Sequence, residues 1–126
     1  MPHKVTYNLK THIVESEIYG ILSLNESIEL ISSIGQVCAE NNCSLCLSDY
    51  RKATLDLSIL ELYDIPKRLT NILDSLGLSA HKIKRAIVVS ENTKDFHFYE
   101  TVTLNNGQII KLFQDINEAQ KWLLEK

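Results

Sequence analysis

Short apolar runs alternate along this chain with segments of helical periodicity, and this alternation restricts the fold more than any other feature. The clearest run, RAIVVS at 85–90, is β-branched and uncharged after its first residue, as in a strand covered on both faces. A second run, CSLCLSD at 43–49, is short, mostly apolar and bounded by turn residues. Because strands that alternate with helices pair in parallel through right-handed crossovers, the pattern predicts an α/β fold.

Three further stretches complete the set of expected strands. VTYNLK (5–10) and HIVESEIYG (12–20) lie close together, which favours an antiparallel hairpin whose second strand ends at Gly20. QIIKLF (108–113) is expected as the last strand. The order is then β-β-α-β-α-β-α-β-α, an N-terminal antiparallel hairpin followed by parallel βαβ units. We therefore expect a five-stranded mixed sheet in a single domain over residues 1–126.

Helix starts are marked by residues that cap a helix N-terminus. Ser23 is followed three residues later by Glu26, which is the pattern of a capping box. Gly35 inside this first helix predicts close packing against a neighbouring element, since glycine weakens a helix. Ser58 is expected to begin the second helix, and the proline in Asp-Ile-Pro (64–66) predicts a break and a new helix start there.

The composition and charge exclude several classes of function. The chain is 44% hydrophobic and carries a formal net charge of −3, whereas non-specific nucleic-acid binding needs a clear basic excess. We therefore expect no nucleic-acid partner. No stretch approaches the roughly 20 apolar residues of a membrane span, and the opening MPHKVTYNLK lacks the apolar core of a secretory signal. A cytoplasmic protein without a membrane span is expected.

The cysteines and aspartates provide no familiar catalytic or metal-binding pattern. Cys38, Cys43 and Cys46 are odd in number and close together, and we expect three free, partly buried thiols rather than a redox or zinc site. Asp49 and Asp56 are not the adjacent acid pair that a magnesium site of the response-regulator kind needs. A glycine-rich phosphate loop and a nucleophile elbow are also lacking. We therefore expect no metal, no cofactor and no enzymatic activity.

The aromatic run FHFY (96–99) is the most unusual feature of the third expected helix. If Phe98 and Val102 face the core, Phe96 or Tyr99 is expected to remain exposed. An exposed aromatic patch is typical of a protein interface or of the mouth of an apolar-ligand site. The candidate interaction surface comprises Asp49, Tyr50, Arg51, Phe96 and Tyr99.

The C-terminal half also carries a family resemblance. The residues that carry it are RAIVVS, Phe98-Tyr99-Glu100, Gly107, the KLF of the last strand and the closing INEAQKWLL. With the early strand, Gly20 and the capped helix that follows, they resemble the STAS-like superfamily. The branch in question is similar to sporulation anti-sigma-factor antagonists and is often described as STAS/SEC14-like. This resemblance implies a fold of the kind predicted above and a regulatory module in bacterial signalling.

The resemblance also directs attention to Ser58. In the antagonists, a serine at the start of the helix after the third strand is phosphorylated by a partner kinase, and Ser58 falls at about that place counted from Asp49. A phosphate at a helix N-terminus is favoured by the helix dipole and the free N–H groups. The antagonists carry an Asp-Ser-Ser-Gly-like run, where this chain has DLSIL at 56–60. Ser58 is therefore interpreted as a helix cap first and as a possible phosphoacceptor second.

Two functions stay open, with an enzyme as a distant third. The first is a protein-interaction module that binds through a charged turn at 49–58 and the helix at 96–104, with a homodimer as one possible assembly. The second is a carrier of a lipid or small apolar ligand, held between the sheet and the helices. An apolar cavity of about 300 Å³ or more would favour the carrier. A filled core beside an exposed apolar patch would favour the interaction module.

Overall fold

The apolar runs and helical segments assemble into one mixed sheet with helices on both faces. The computed structural model describes residues 3–91 and 93–125. The strands are β1 (His3–Asn8), β2 (Ile13–Leu22), β3 (Leu45–Leu55), β4 (Lys84–Val88) and β5 (Ile109–Phe113). The helices are α1 (Leu24–Asn41), α2 (Ile59–Ser75), α3 (Lys94–Asn105) and α4 (Ile116–Leu124). The predicted α/β class, element order and mixed five-stranded sheet are confirmed.

The order of the strands decides where the helices lie. The sheet order is β1-β2-β3-β4-β5, with β1 antiparallel to β2 and all later neighbours parallel. Because each right-handed crossover steps in the same direction, α1, α2 and α3 all cover one face of the sheet. The short helix α4 packs on the opposite face against β3, β4 and β5. Within the part of the chain that the structure describes, no helix is long and apolar enough to cross a membrane.

Strands β2 and β3 run further than the sequence predicts. β2 continues through Gly20, and β3 continues past Asp49 into the segment expected to be a charged turn, so both expected ends are wrong. The two extensions pair with each other, from Tyr19 opposite Lys52 to Leu22 opposite Leu55, after a shift in register. This pairing, together with burial of Leu22 in the core, stabilises strand structure in a polar segment that local preference assigns to a turn.

Helix α2 is continuous through Pro66, so the predicted break is wrong. Proline removes one N–H and can end a helix, but here the buried stripe crosses it without interruption. The Pro66 carbonyl accepts two side-chain hydrogen bonds, from Thr70 Oγ1 at 3.1 Å and from Gln108 Nε2 at 2.8 Å. Tertiary packing therefore outweighs the local cost of the proline. The stripe consists of Leu62, Ile65, Pro66, Leu69 and Leu73.

Gly35 lies where α1 crosses α2, as its position in the sequence suggests. A Cβ atom at Gly35 would lie 2.9 Å from Leu76 Cδ1 and 3.1 Å from Leu73 Cδ2. Even a methyl group would require these leucine side chains to shift. The absent side chain thus permits the close approach of the two helices.

Replacing Gly35 by valine is expected to lower the free energy of unfolding by about 1–3 kcal/mol, because the added carbons overpack this crossing. Ser32→Val is the matched control, since Ser32 is exposed in the interior of the same helix and the replacement adds the same β-branched side chain. The control should change stability by less than about 0.5 kcal/mol. Urea unfolding of both variants measures the difference. Equal losses in the two variants would show that the crossing is not tightly packed.

Candidate functional site

A small cavity lies between the sheet and the three helices on its crossover face. Its walls are mainly apolar and include Leu30 of α1, Leu62 and Leu69 of α2, and Ile87 of β4. The cavity volume is about 50 Å³. Since one water occupies roughly 10–15 Å³ on this scale, the space admits only a few non-hydrogen atoms. It is far smaller than the roughly 300 Å³ expected of a site for a lipid or a drug-sized ligand.

Arg85 is the only charged side chain that lines this cavity among the described residues. It is half-buried on β4 and makes no ion pair within the described residues. Its Nη1 donates to the Tyr99 hydroxyl at 3.2 Å, and its Nη2 donates to Gln108 Oε1 at 3.3 Å. The guanidinium is thus held by two neutral partners. We call Arg85, Tyr99, Gln108, Tyr50 and Ser48 the arginine site.

Gln108 connects the arginine site to α2. The side chain is buried, and its Nε2 donates to the Pro66 carbonyl at 2.8 Å and to Thr70 Oγ1 at 3.0 Å. With both amide hydrogens directed to α2, the Oε1 atom of Gln108 faces Arg85 as an acceptor. Pro66, at which the sequence predicted a helix break, therefore helps to position Arg85 through Gln108. Sequence patterns did not reveal this connection, because the partners come from three separate elements.

Tyr50 enters the cavity from β3. Its ring packs edge-on against Phe96, with centroids 5.6 Å apart and an interplanar angle of 75°. Part of the residue stays exposed, yet burial raises the pKa of its hydroxyl, and the nearby Tyr99 raises it further, while the positive charge of Arg85 acts in the opposite direction. The hydroxyl makes no hydrogen bond among the residues placed in the structure. Tyr50 is therefore a neutral and uncommitted hydrogen-bonding group.

The five residues of the predicted interaction surface do not share one surface. Tyr50, Phe96 and Tyr99 all line the cavity. Phe96 is only 6% exposed, so it fills the core position that the sequence assigned to Phe98. The idea of an exposed aromatic patch that includes Phe96 is wrong. Helical periodicity places either residue inward, and the T-shaped contact with β3 favours Phe96. Phe98 is half-buried instead.

Asp49 and Arg51 form an ion pair near the bulge of β3. Arg51 Nη2 lies 2.7 Å from Asp49 Oδ2, and Arg51 Nε lies 2.9 Å from Asp49 Oδ1. The hydrogen bond from Arg51 lowers the pKa of the Asp49 carboxyl, which is therefore ionised and already occupied. Asp49 lines a separate polar cleft of about 170 Å³ on the α4 side of the sheet. Its carboxylate also accepts from the backbone N–H of Arg51 at 3.0 Å, so both of its oxygens have partners within the same strand.

Ser58 occupies the N-cap of α2, as predicted. Its Oγ accepts a hydrogen bond from the backbone N–H of Glu61 at 3.1 Å, and the Glu61 carboxylate accepts from the backbone N–H of Ser58 at 2.9 Å. This reciprocal pair is a complete capping box. The side chain is also exposed, so it remains accessible to a modifying enzyme. A phosphate on Ser58 would lie close to the Glu61 carboxylate, which carries the same charge sign.

The first turns of α2 carry an exposed apolar surface that the sequence interpretation missed. Ile59, Leu60 and Tyr63 are exposed to 67%, 81% and 51% of their maximum areas. At 3.6 residues per turn they lie within about 100° of one another around the helix axis, on a side that adjoins the buried stripe. The run SILELY contains this second apolar group, which periodicity alone could have separated from the core face. We call Ile59, Leu60 and Tyr63 the α2 surface.

The three thiols are free, as predicted, and all are buried. Cys38 Sγ on α1 lies 3.4 Å from Cys46 Sγ on β3. This contact and burial raise the pKa of the Cys46 thiol well above its usual value, so that Cys46 is protonated. Cys43 Sγ instead donates to the His12 carbonyl at 3.2 Å. In these surroundings Cys46 is not an activated nucleophile.

Histidine, cysteine, aspartate and glutamate residues form no cluster suited to hold a metal ion within 3–91 and 93–125. Comparison with models of protein families, with curated proteins and with solved structures found no significant match for this chain.

Replacing Tyr50 by phenylalanine is expected to reduce the loss of stability at alkaline pH. Because folding raises the Tyr50 pKa above the roughly 10 of an exposed tyrosine, the folded state keeps a proton that the unfolded state releases. The stability linked to Tyr50 is fully present below about pH 10 and falls as the pH rises further. Urea unfolding between pH 8 and about 11 should show a shallower decline in Tyr50→Phe than in the wild type.

The exposed Tyr63 supplies the control for this experiment. Tyr63→Phe should retain the alkaline decline of the wild type. A wild-type slope in Tyr50→Phe would contradict burial of the Tyr50 hydroxyl.

Ser58→Ala is expected to lower the free energy of unfolding by about 1 kcal/mol, because the N-cap hydrogen bond is lost. Ser58→Asp should stay close to the wild type, since aspartate caps a helix equally well. Ser79→Ala is the control, because Ser79 precedes a 3-10 turn without making a side-chain cap. Thermal and urea unfolding measure all three variants. Equal losses for Ser58→Ala and Ser58→Asp would contradict the capping role.

Proposed function

We propose that this chain is a non-enzymatic regulatory module of the STAS-like kind, and that it binds a protein partner through the α2 surface. The observation that carries the proposal is the exposure of Ile59, Leu60 and Tyr63 side by side on one helix. Contiguous exposed apolar patches are uncommon on proteins that bind no partner, and they commonly mark protein-binding sites. Tyrosine is also enriched among the residues that dominate binding energy at interfaces.

The size of the internal cavity favours this function over a lipid carrier. A volume of about 50 Å³ leaves no room for an acyl chain beside the apolar walls. The core is almost filled, and an apolar surface lies outside it. This combination was expected of an interaction module and not of a carrier.

The charges around the α2 surface indicate what the partner presents. Asp56 precedes the helix and is exposed, and Glu61 lies within its first turn. Lys67 is placed over the ring of Tyr63, with Nζ 4.9 Å from the ring centroid. The N-terminal rim is thus acidic, and we infer a partner that presents apolar side chains flanked by basic ones.

The same charges make a second copy of this chain a less suitable occupant than another protein. A symmetric contact through the α2 surface places each patch against its own equivalent. The acidic groups at Asp56 and Glu61 would then face like charges across the interface. Like charges at an interface disfavour association.

Ser58 lies at the edge of the α2 surface, which gives phosphorylation a physical consequence. A phosphate adds nearly two negative charges and would increase the acidity of the rim beside Ile59. It would also compete with Glu61 for the free N–H groups of the first turn. Ser58 as phosphoacceptor therefore remains part of the proposal, as a device that changes the affinity for the partner.

Leu60→Asp is expected to weaken binding of the partner without unfolding the chain, since Leu60 is 81% exposed. Leu9→Asp is the matched control, because Leu9 is 78% exposed in the turn at the opposite end of β2. Wild type and both variants are immobilised, exposed to extract of the native host, and the retained proteins are identified and their affinities measured. The partner should bind the wild type and Leu9→Asp alike and should bind Leu60→Asp at least about tenfold more weakly.

Three outcomes decide the proposal. A partner that is retained equally by Leu60→Asp would place binding elsewhere on the chain. A loss in Leu9→Asp equal to that in Leu60→Asp would show non-specific adhesion. Concentration-dependent dimerisation that Leu60→Asp removes, without any other partner, would assign the α2 surface to a homodimer and overturn the proposal.

A further inference from the structure

The arginine site has features that the proposed protein-binding function does not use. We propose that it binds a small monocarboxylate, with the carboxylate on the guanidinium of Arg85 and a short alkyl group in the apolar part of the cavity. This inference is independent of the α2 surface, which lies on the outer side of α2.

The first argument is the missing counter-charge of Arg85. A charge that is partly removed from water is normally paired, because desolvation is costly. In the part of the chain that the structure describes, ion pairs form between Arg51 and Asp49 and between Arg68 and Asp64, but not at Arg85. A guanidinium offers five N–H donors, and neutral partners occupy two of them. The unoccupied donors of the fork suit a bidentate carboxylate.

The second argument is the direction of the neighbouring hydrogen bonds. The Tyr99 hydroxyl accepts from Arg85, so its own hydrogen remains free to donate. The Ser48 hydroxyl accepts from Ser16 Oγ at 2.9 Å and likewise keeps its hydrogen. The Tyr50 hydroxyl has no partner among the described residues. The hydroxyls of Tyr99, Ser48 and Tyr50 are thus donors with no acceptor among the described residues, which is the arrangement that an anion requires, whereas the Ser27 hydroxyl donates to the Ser23 carbonyl.

The third argument is the size of the space. About 50 Å³ corresponds to roughly three to five water-sized positions. Acetate has four non-hydrogen atoms and propionate has five, so a carboxylate with one or two further carbons fills the cavity. The alkyl end would contact Leu30, Leu62 and Ile87, which line the walls. A fatty acid of eight or more carbons would not fit without separation of the helices.

The location of Arg85 also permits entry of the ligand. Arg85 and Tyr99 are half-buried rather than enclosed, so the polar end of the cavity lies near solvent. A carboxylate can therefore reach the guanidinium before its apolar end is desolvated. Electrostatic attraction would guide this order of events, because Arg85 forms no ion pair with a carboxylate of the described residues.

Titration of the ¹⁵N-labelled chain with sodium propionate, at constant ionic strength maintained with sodium chloride, tests the proposal. Saturable shifts are expected at amides around the cavity, including those of Ser48, Ile87 and Tyr99. Arg85→Gln should weaken propionate binding at least about tenfold, since a charge-assisted bidentate contact is lost. Arg68→Gln is the matched control, because Arg68 is an exposed arginine paired with Asp64, and it should bind propionate as the wild type does.

A second variant and a second ligand keep the test decisive if Arg85→Gln is unstable. Tyr99→Phe keeps the ring and removes one donor, and it should weaken binding by a smaller factor while the spectrum of the folded chain is retained. Octanoate should bind more weakly than propionate. The proposal is overturned by shifts that chloride reproduces, by equal propionate affinity in Arg85→Gln, or by tighter binding of octanoate, which would indicate a lipid site.

Discussion

The parallel strands lie side by side in the order in which they occur along the chain, and the rest of this structure depends on that constraint. Because β2, β3, β4 and β5 follow one another across the sheet, right-handed crossovers place three helices on the same face. Their apolar stripes must then share one layer, and at the crossing of α1 and α2 the absent side chain of Gly35 leaves room for Leu73 and Leu76. The small cavity is what remains of this layer. The functional candidates are therefore consequences of topology rather than of a catalytic motif.

A proline in a helix and a half-buried arginine are individually unfavourable, and in this chain they are connected. The Pro66 carbonyl accepts from Gln108, whose remaining oxygen accepts from Arg85. Each group thereby supplies a hydrogen-bond partner to the next, as buried polar groups require. The connection joins α2, the residue that precedes β5, and β4. It orients a cation toward a mainly apolar cavity, while Ile59, Leu60 and Tyr63 are exposed on α2 for a partner.

Features governed by neighbouring residues were predictable, and features governed by distant contacts were not. The Ser58 cap depends on Glu61 three residues away, so its pattern is readable from a single segment. The extension of β3 depends on pairing with β2, and its charged residues resemble a turn when considered alone. The choice between Phe96 and Phe98 for the core was decided by contact with Tyr50 on another element. Arg85 appeared in the sequence only as the first residue of a strand.

The sequence by itself determined the α/β class, the order of the elements, the mixed sheet and the capping of α2, because hydrophobic periodicity and caps act over a few residues. Only the tertiary structure decided that Pro66 lies inside a continuous helix, that Phe96 is buried and that Arg85 meets Tyr99 and Gln108. These outcomes depend on packing and hydrogen bonds between segments far apart in the chain. The energy of such contacts exceeds local preference, and their partners cannot be read from one stretch of sequence.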